Sequence, residues 1–183
     1  MVILGIDPGS RKTGFGLIKK YNKKIEYIAS GCLRYDKLPD FMGRLGLIYS
    51  SCKELVKRYQ PDEIAIESLI YVKSVPALAK LAQARGSMIA AFSETHEKKI
   101  FEYSPNLVKS TVSGHGHASK ESIEKSLKMI FGQSLDFKTN DESDALAIAL
   151  CHELMREVPR TFKGHAKSSR GGTSLKKAFK HLE

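Results

Sequence analysis

The chain has 183 residues, of which 42% are hydrophobic and 27% are charged, enough apolar material for one folded domain with an appendage. It has neither an apolar run long enough to span a bilayer nor a signal peptide, so we expect a cytoplasmic protein with no membrane partner. The net charge of +10 favours a polyanionic partner, nucleic acid above all.

The positive charge is concentrated at the carboxyl end of the chain. Residues 160–183 hold seven Lys or Arg against the single acid Glu183, a net charge of +6, and residues 1–159 carry the remaining +4. The tail is also rich in Gly and Ser, a composition typical of disordered segments. We therefore expect a folded domain over residues 1–158 and a basic, disordered tail over residues 159–183.

Short apolar segments alternate with polar turns at the start of the chain. Residues 2–7, 13–20 and 24–35 have strand character, and the links between them are short. Three consecutive strands joined in this way predict an antiparallel meander. The next segment, residues 39–60, has helical spacing, with Pro39 in its first turn and a proline after its end.

Helices and strands alternate after this first helix. A predicted strand over 62–67 is followed by a long helix over about 74–96, whose apolar stripe is wider than one buried face needs and suggests contact with a second subunit. The remaining predicted elements are a strand over 99–103 and helices over 105–112, 119–131 and 140–157. This order predicts an α/β fold, a mixed five-stranded sheet flanked by helices.

Four acids stand out by position. Asp7 ends the first strand, Glu67 ends the fourth, and Asp141 and Asp144 begin the last helix, three residues apart and therefore on one helix face. Taken singly, strand-end solvation explains the first two, and the helix dipole explains the second two. If the first and fourth strands are neighbours, however, the acids approach one another, and grouped like charges need counter-ions.

Oxygen ligands without a His or Cys partner suit hard cations such as Mg²⁺ or Mn²⁺. Two such ions, roughly 3.5–4 Å apart, clamp a phosphodiester during hydrolysis. These residues therefore favour a metal site and leave its substrate open. The opening segment IDPGSRKTGFG also fits the phosphate-binding hairpin of actin-like kinases, but those proteins usually have two domains and a second phosphate loop, which this sequence does not show.

Five sequence blocks occur in a fixed order: ILGIDPGSRKTGFG, IAIESLI, LAKLAQARG, FEYSPNLVKSTVSGHGHASKESI and DESDALAIALCH. Together they closely resemble the RuvC family of Holliday-junction resolvases, from about residue 2 to residue 153. The resemblance implies a ribonuclease H-like fold, a homodimer and a Mg²⁺-dependent crossover junction endodeoxyribonuclease. It also implies paired symmetric nicks on two like strands of a four-way DNA junction, which leave ligatable 5′-phosphate and 3′-hydroxyl ends.

The biological setting also follows from the resemblance. It implies a role in homologous recombination and DNA repair in the bacterial cytoplasm, in association with the nucleoid. It further implies a branch-migration helicase complex as a partner. A junction-binding protein without nuclease activity and an actin-like phosphotransferase are the alternatives, and intact acids argue against the first because they repel phosphate.

The catalytic acids of the family fall on the same four positions that strand and helix ends had singled out. On this hypothesis Asp7 bridges two Mg²⁺ ions, for which Mn²⁺ substitutes, Glu67 and Asp144 hold them, and Asp141 coordinates or orients.

Two lysines and one arginine are candidate DNA contacts. The DNA-contacting lysines of the family match Lys109 and Lys120, and Arg11 is a further candidate. Lys120 follows a predicted N-cap, Ser119, where a positive charge opposes the helix dipole, so a phosphate partner explains it better than helix stability does.

The residue that wedges between bases differs from the family pattern. The family often carries a Phe just after the glutamate, whereas this chain has Ile70 followed by Tyr71, and either apolar side chain is a candidate wedge. His115 and His117 lie near the expected rim of the site. Ordinary loop residues beside glycine are a slightly favoured interpretation of these histidines over a role in proton transfer.

Overall fold

The computed structural model describes residues 1–69 and 74–157. The predicted tail over 159–183 and the candidate wedge residues Ile70 and Tyr71 lie outside the described residues. None of the described helices combines the length and hydropathy needed to cross a membrane. The elements are, in chain order, β1 (Val2–Asp7), β2 (Lys12–Tyr21), β3 (Lys24–Arg34), α1 (Phe41–Tyr59), β4 (Glu63–Glu67), α2 (Val75–Ser93), β5 (Ile100–Tyr103), α3 (Pro105–Ser113), α4 (Lys120–Phe131) and α5 (Asn140–Glu157).

A mixed five-stranded sheet, in the order β3-β2-β1-β4-β5, forms the centre of the molecule. The pairs β3-β2 and β2-β1 are antiparallel, and the pairs β1-β4 and β4-β5 are parallel. This arrangement confirms both the predicted meander and the predicted sheet. It also makes β1 and β4 neighbours, which was the condition for bringing their terminal acids together.

The two faces of the sheet follow the alternation of side chains along β1 and β4. Leu4, Ile6, Ile64 and Ile66 are fully buried on the face covered by α1 and α2. Ile3 and Ala65 point to the opposite face and pack with residues of α3, α4 and α5. Each fully buried isoleucine contributes roughly 1.5–3 kcal/mol of hydrophobic stabilisation, so this alternation fixes which face each helix covers.

Helix α5 lies unusually close to the sheet because glycines face it. A Cβ atom built on Gly16 of β2 would lie 2.6 Å from Leu146 Cα, and one on Gly14 would overlap the main chain of Asp141. Any larger residue at these positions would push α5 outward. These glycines therefore set the depth at which the two acids of α5 meet the sheet.

Side chains at the helix starts differ in detail from the sequence-based expectations. Asp40 is the N-cap of α1 and accepts a hydrogen bond from Gly43 N at 2.6 Å, so Pro39 precedes the cap and does not lie in the first turn as predicted. Ser119 caps α4 and accepts from Ser122 N at 3.3 Å, as expected.

Before α5, Thr139 and Glu142 form two hydrogen bonds with each other, one through their side chains and one through their main chains. The hydroxyl of Thr139 donates to Glu142 Oε1 at 3.2 Å, while Glu142 N donates to the main-chain oxygen of Thr139. The carboxylate of Glu142, a buried residue, is thereby bound to the hydroxyl and not to the cap main chain.

Candidate active site

A cavity of about 200 Å³ opens where β1 and β4 end. Its lining combines three acids and two lysines with apolar side chains from α3, α4 and α5. The lining residues are Asp7, Glu67, Pro105, Val108, Lys109, Lys120, Ile123, Asp144 and Ala147. A compact cavity with opposed charges of this kind suits an anionic ligand bound together with cations.

Strand register explains why Asp7 and Glu67 meet. Ile6 pairs with Ile66 in the parallel β1-β4 ladder, so the next residue of each strand is one of the two acids. Both side chains point toward the α5 face, since Ile6 and Ile66 point toward the α1 and α2 face. Asp144 reaches the same cavity from the second turn of α5.

Burial and neighbouring acids raise the pKa of Asp7 and of Glu67. Burial, followed by the charges of Glu67, Asp144 and Asp141, raises the pKa of Asp7 to about 8. Burial and the charge of Asp144 raise the pKa of Glu67 to about 6, although Lys109 and Lys120 oppose this. The cluster is therefore short of positive charge, and a bound divalent cation would favour the ionised carboxylates.

Lysines hold the two acids of α5 in different places. Lys120 Nζ lies 3.3 Å from Asp144 Oδ2, at the edge of the cavity. Asp141, in contrast, is absent from the cavity lining: its Oδ2 accepts from Lys12 Nζ at 2.5 Å and from Cys32 Sγ at 3.9 Å. The i,i+3 spacing predicted one shared face, but the carboxylates turn to different partners.

The donor set fits a hard cation by chemistry and charge. All four acids offer oxygen, and because burial and neighbouring carboxylates raise the pKa of Asp7 and Glu67, a bound cation would stabilise their ionised forms. Over residues 1–69 and 74–157, however, no group of three or more His, Cys, Asp or Glu side chains is arranged as a ready-made metal site.

One residue that supports the site was not predicted from the sequence. Arg85 of α2, only 9% exposed, donates from Nε to the main-chain oxygen of Glu67 at 3.1 Å. Its Nη2 lies 2.7 Å from Glu102 Oε1 on β5. Arg85 thus fixes the end of β4 that carries the acid. Its position within the block LAKLAQARG was the only sequence signal.

The predicted DNA contacts divide between two places. Lys109 and Lys120 line the carboxylate cavity, and Lys120 has Asp144 as a partner there. Arg11 lines a separate cavity beside the β1-β2 turn. His115 and His117 are exposed and do not belong to the described lining of the carboxylate cavity.

Comparison with known proteins assigns the chain to a family. The family model described as crossover junction endodeoxyribonuclease RuvC matches residues 3–152. The chain belongs to the RuvC family. The resemblance carried by the five sequence blocks is thereby confirmed.

Curated RuvC proteins from bacteria are similar over most of their length. The crossover junction endodeoxyribonuclease RuvC of Legionella pneumophila is 44% identical over 156 residues, which cover 85% of this chain and 88% of that protein. The protein of the same name from Trichlorobacter lovleyi is 40% identical over 152 residues, which cover 83% of this chain and 84% of that protein.

Solved structures of RuvC proteins have the same architecture. Thermus thermophilus RuvC, in complex with its Holliday junction substrate, matches with a TM-score of 0.77 at 28% identity, covering 85% of this chain and 94% of that one. The yeast mitochondrial Holliday junction resolvase, at 16% identity and a TM-score of 0.60, shares the fold. The predicted ribonuclease H-like fold is therefore confirmed.

Proposed function

We propose that this RuvC protein is a crossover junction endodeoxyribonuclease that resolves four-way DNA junctions in recombination and repair. The observation that carries this proposal is the cavity in which Asp7, Glu67 and Asp144 lie beside Lys109 and Lys120. Relatives that bear the name of this activity, and a structural neighbour bound to a Holliday junction, support it.

The four acids are proposed to hold Mg²⁺, two ions per subunit, with Mn²⁺ as a substitute. When bound, the metal supplies a Lewis acid for the phosphodiester and lowers the pKa of attacking water. Asp7 and Glu67 anchor this site because their strands fix them side by side. Asp144 and Asp141 complete it from α5.

Two lysines are proposed to bind the scissile strand. Lys109 and Lys120 approach from α3 and α4, and both lower the pKa of Glu67 through their charge. The Lys120 side chain is 55% exposed, so its ion pair with Asp144 is weak. A phosphate in the cavity would compete with Asp144 for Lys120. The proposed products of paired nicking are 5′-phosphate and 3′-hydroxyl ends.

A homodimer is proposed as the active form, because a two-fold protein can present one site to each of two like strands. The outer side of α2 supports this: Val75 is 68% exposed, and Ala79, Gly86 and Ala90 are also exposed. A helicase partner, and a nuclease domain over 1–158 with a basic tail over 159–183, belong to the same proposal. Light scattering of the full chain and of a 1–158 truncation tests the dimer and the domain boundary.

Cleavage of a synthetic four-way junction tests the enzymatic proposal. We expect paired nicks on like strands in Mg²⁺ and none in EDTA. Asp7→Asn and Glu67→Gln should abolish cutting while junction binding persists, because removing negative charge does not weaken phosphate contacts. Asp136→Asn, at an exposed acid outside the cavity, is the matched control and should cut normally.

Two outcomes of this assay would contradict the proposal. Binding without cutting in both Mg²⁺ and Mn²⁺ would identify a junction-binding protein that lacks nuclease activity. Undiminished cutting by Asp7→Asn would show that the chemistry takes place away from the carboxylate cavity.

A further inference from the structure

A second cavity, of about 350 Å³, lies beside the β1-β2 turn. We call it the basic cavity. Its polar lining consists of Ser10, Arg11, Arg44, Ser74 and Lys80. Three of these five side chains are cationic, and no carboxylate is among the described residues that line the cavity. Its composition is therefore the opposite of that of the acid cluster nearby.

Arg44 is the buried cation of the basic cavity. Only 8% exposed, it donates from Nη1 to the main-chain oxygen of Ser10 at 3.3 Å and from Nε to that of Asp40 at 3.5 Å. Its guanidinium carbon also lies 5.4 Å from the centre of the Phe41 ring. These partners are neutral groups, so its charge is buried without a described anion, which is costly.

The other side chains strengthen the positive field. Lys80 is exposed, and its Nζ lies 5.8 Å from the centre of the Phe41 ring. Ser74 caps α2, a helix of 19 residues, and Pro76 and Ala77 of its first turn also line the cavity. The positive end of a helix dipole thus adds to three cationic side chains, a combination that favours phosphate.

The basic cavity lies close to the carboxylate cavity along the chain. Ser10 is three residues beyond Asp7, so their Cα atoms are at most about 11 Å apart. A DNA strand carries a phosphate at every nucleotide. One strand can therefore place one phosphodiester at the acids and another at the basic cavity.

We propose that the basic cavity binds a backbone phosphate of the junction strand, adjacent to the phosphodiester that is cut. Arg11 and Lys80 neutralise this phosphate, and Arg44 supplies the buried charge behind it while tying the β1-β2 turn to α1. The cavity acts as a positioning site: it fixes the register of the strand and takes no part in bond breaking. The inference rests on the proposed function, because it needs a bound junction.

The salt dependence of junction binding tests this site. Fluorescence anisotropy with a synthetic junction in EDTA measures the slope of log K against log salt, which changes by about 0.9 for each phosphate contact in duplex DNA. We expect Lys80→Gln to reduce the slope by about this amount. Lys57→Gln is the matched control, since Lys57 is exposed on the same surface helix as Arg44 but about 20 Å further along it.

Neutral phosphate analogues locate the contact. In a series of junctions, each carries a single methylphosphonate at a different position near the cut site. We expect the substitution at one or two of these positions to weaken binding to the wild-type protein. In Lys80→Gln the loss at those positions should largely disappear, whereas in Lys57→Gln it should persist. This coupling is expected only for a direct contact, and both variants change exposed side chains, so the fold stays intact.

The outcomes separate this inference from the proposed function. Tight junction binding whose salt slope and methylphosphonate profile are the same in Lys80→Gln as in wild type would overturn the inference and leave the nuclease proposal standing. In a further outcome, inorganic phosphate stabilises wild type against heat but not Lys80→Gln, while the methylphosphonate profile of junction binding is the same in both proteins. This result would assign the cavity to free phosphate and overturn the DNA assignment. A protein that binds no junction would refute the proposed function itself.

Discussion

Lys12 of β2 and Asp141 of α5 form an ion pair, with Nζ 2.5 Å from Oδ2, at the edge of the acid cluster. Asp141 is 18% exposed and Lys12 is 54% exposed, so the lysine can leave while the acid stays in place. In this arrangement the charge of Asp141 still raises the pKa of Asp7, but its carboxylate faces Lys12 and Cys32. The pair therefore competes with any cation that Asp141 would bind.

Removing Lys12 should strengthen metal binding. We expect Lys12→Met to bind Mg²⁺ up to about fivefold more tightly without DNA, because an exposed ion pair of this kind is worth up to about 1 kcal/mol. Calorimetric titration with Mg²⁺ measures the affinity. Lys24→Met, at the far end of β3, removes the same charge away from the site. Equal affinities in the two variants would show that Lys12 does not restrain Asp141.

Asp7 should make the metal-free protein less stable at alkaline pH. Its pKa is about 8 in the folded protein against an ordinary value of 3.8, so the folded state binds more protons between these values. Stability therefore falls as pH rises through this window, by an amount on the order of a few kcal/mol. In EDTA, Asp7→Asn should melt above wild type at about pH 8.5, with a smaller gain at about pH 5.

Magnesium should reverse this difference. Added Mg²⁺ is expected to raise the melting temperature of wild type and to have much less effect on Asp7→Asn, because ligands that bind only the folded state stabilise it. In EDTA, a rise in melting temperature from Asp7→Asn that is the same at about pH 5 and about pH 8.5 would mean that Asp7 is not the destabilising acid.

Gly16 should be essential for the contact between the sheet and α5. A methyl group there would lie 2.6 Å from Leu146 Cα, so we expect Gly16→Ala to lower the free energy of unfolding by roughly 1–3 kcal/mol and to impair cutting by displacing the acids of α5. Urea denaturation measures the first effect, and the junction assay measures the second.

Gly46 provides the matched control. It lies within α1, and nothing is within 4 Å of a Cβ built on it. Gly46→Ala should therefore stabilise the protein by about 0.5–1 kcal/mol through helix propensity. Equal stability of Gly16→Ala and wild type would show that α5 adjusts at no cost.

Most of the fold was predictable because local signals agree with the packing. Each predicted strand and helix lies within about three residues of the observed one, since periodicity and proline mark the element ends. The start of α1 was predicted two residues too early, with Pro39 in the first turn, because Pro39 and Asp40 are both typical of helix starts and the structure places the N-cap at Asp40.

The candidate site was predictable in part. The prediction that Asp7 and Glu67 meet followed from two acids at strand ends and needed only the pairing of β1 with β4, which the structure supplies. The orientation of the Asp141 side chain toward Lys12 depends on how α5 crosses β2. These two residues lie 129 positions apart in the sequence, so no local pattern predicts their contact. Arg44 and Lys80 join the β1-β2 turn through tertiary packing alone, so their cavity had no local signal.

His152 should make the protein sensitive to acid. Its side chain is fully buried in α5, with Nε2 2.7 Å from Glu63 Oε2 and Nδ1 2.6 Å from Tyr103 Oη. Burial lowers its pKa below the ordinary 6.5, although Glu63 partly opposes the shift. The unfolded chain therefore binds more protons below pH 6.5 than the folded protein does, and stability falls as pH drops through this range.

Replacing His152 should flatten this dependence. Asp7 contributes with the opposite sign over part of the same range, so the informative quantity is the difference between variant and wild type. We expect His152→Gln to be less stable than wild type near pH 8, by roughly 1–3 kcal/mol for the disturbed buried hydrogen bonds, and to lose less stability on acidification. His117→Gln, at an exposed histidine, should keep the slope of wild type in urea denaturation. If His152→Gln and wild type show the same slope, another group causes the sensitivity to acid.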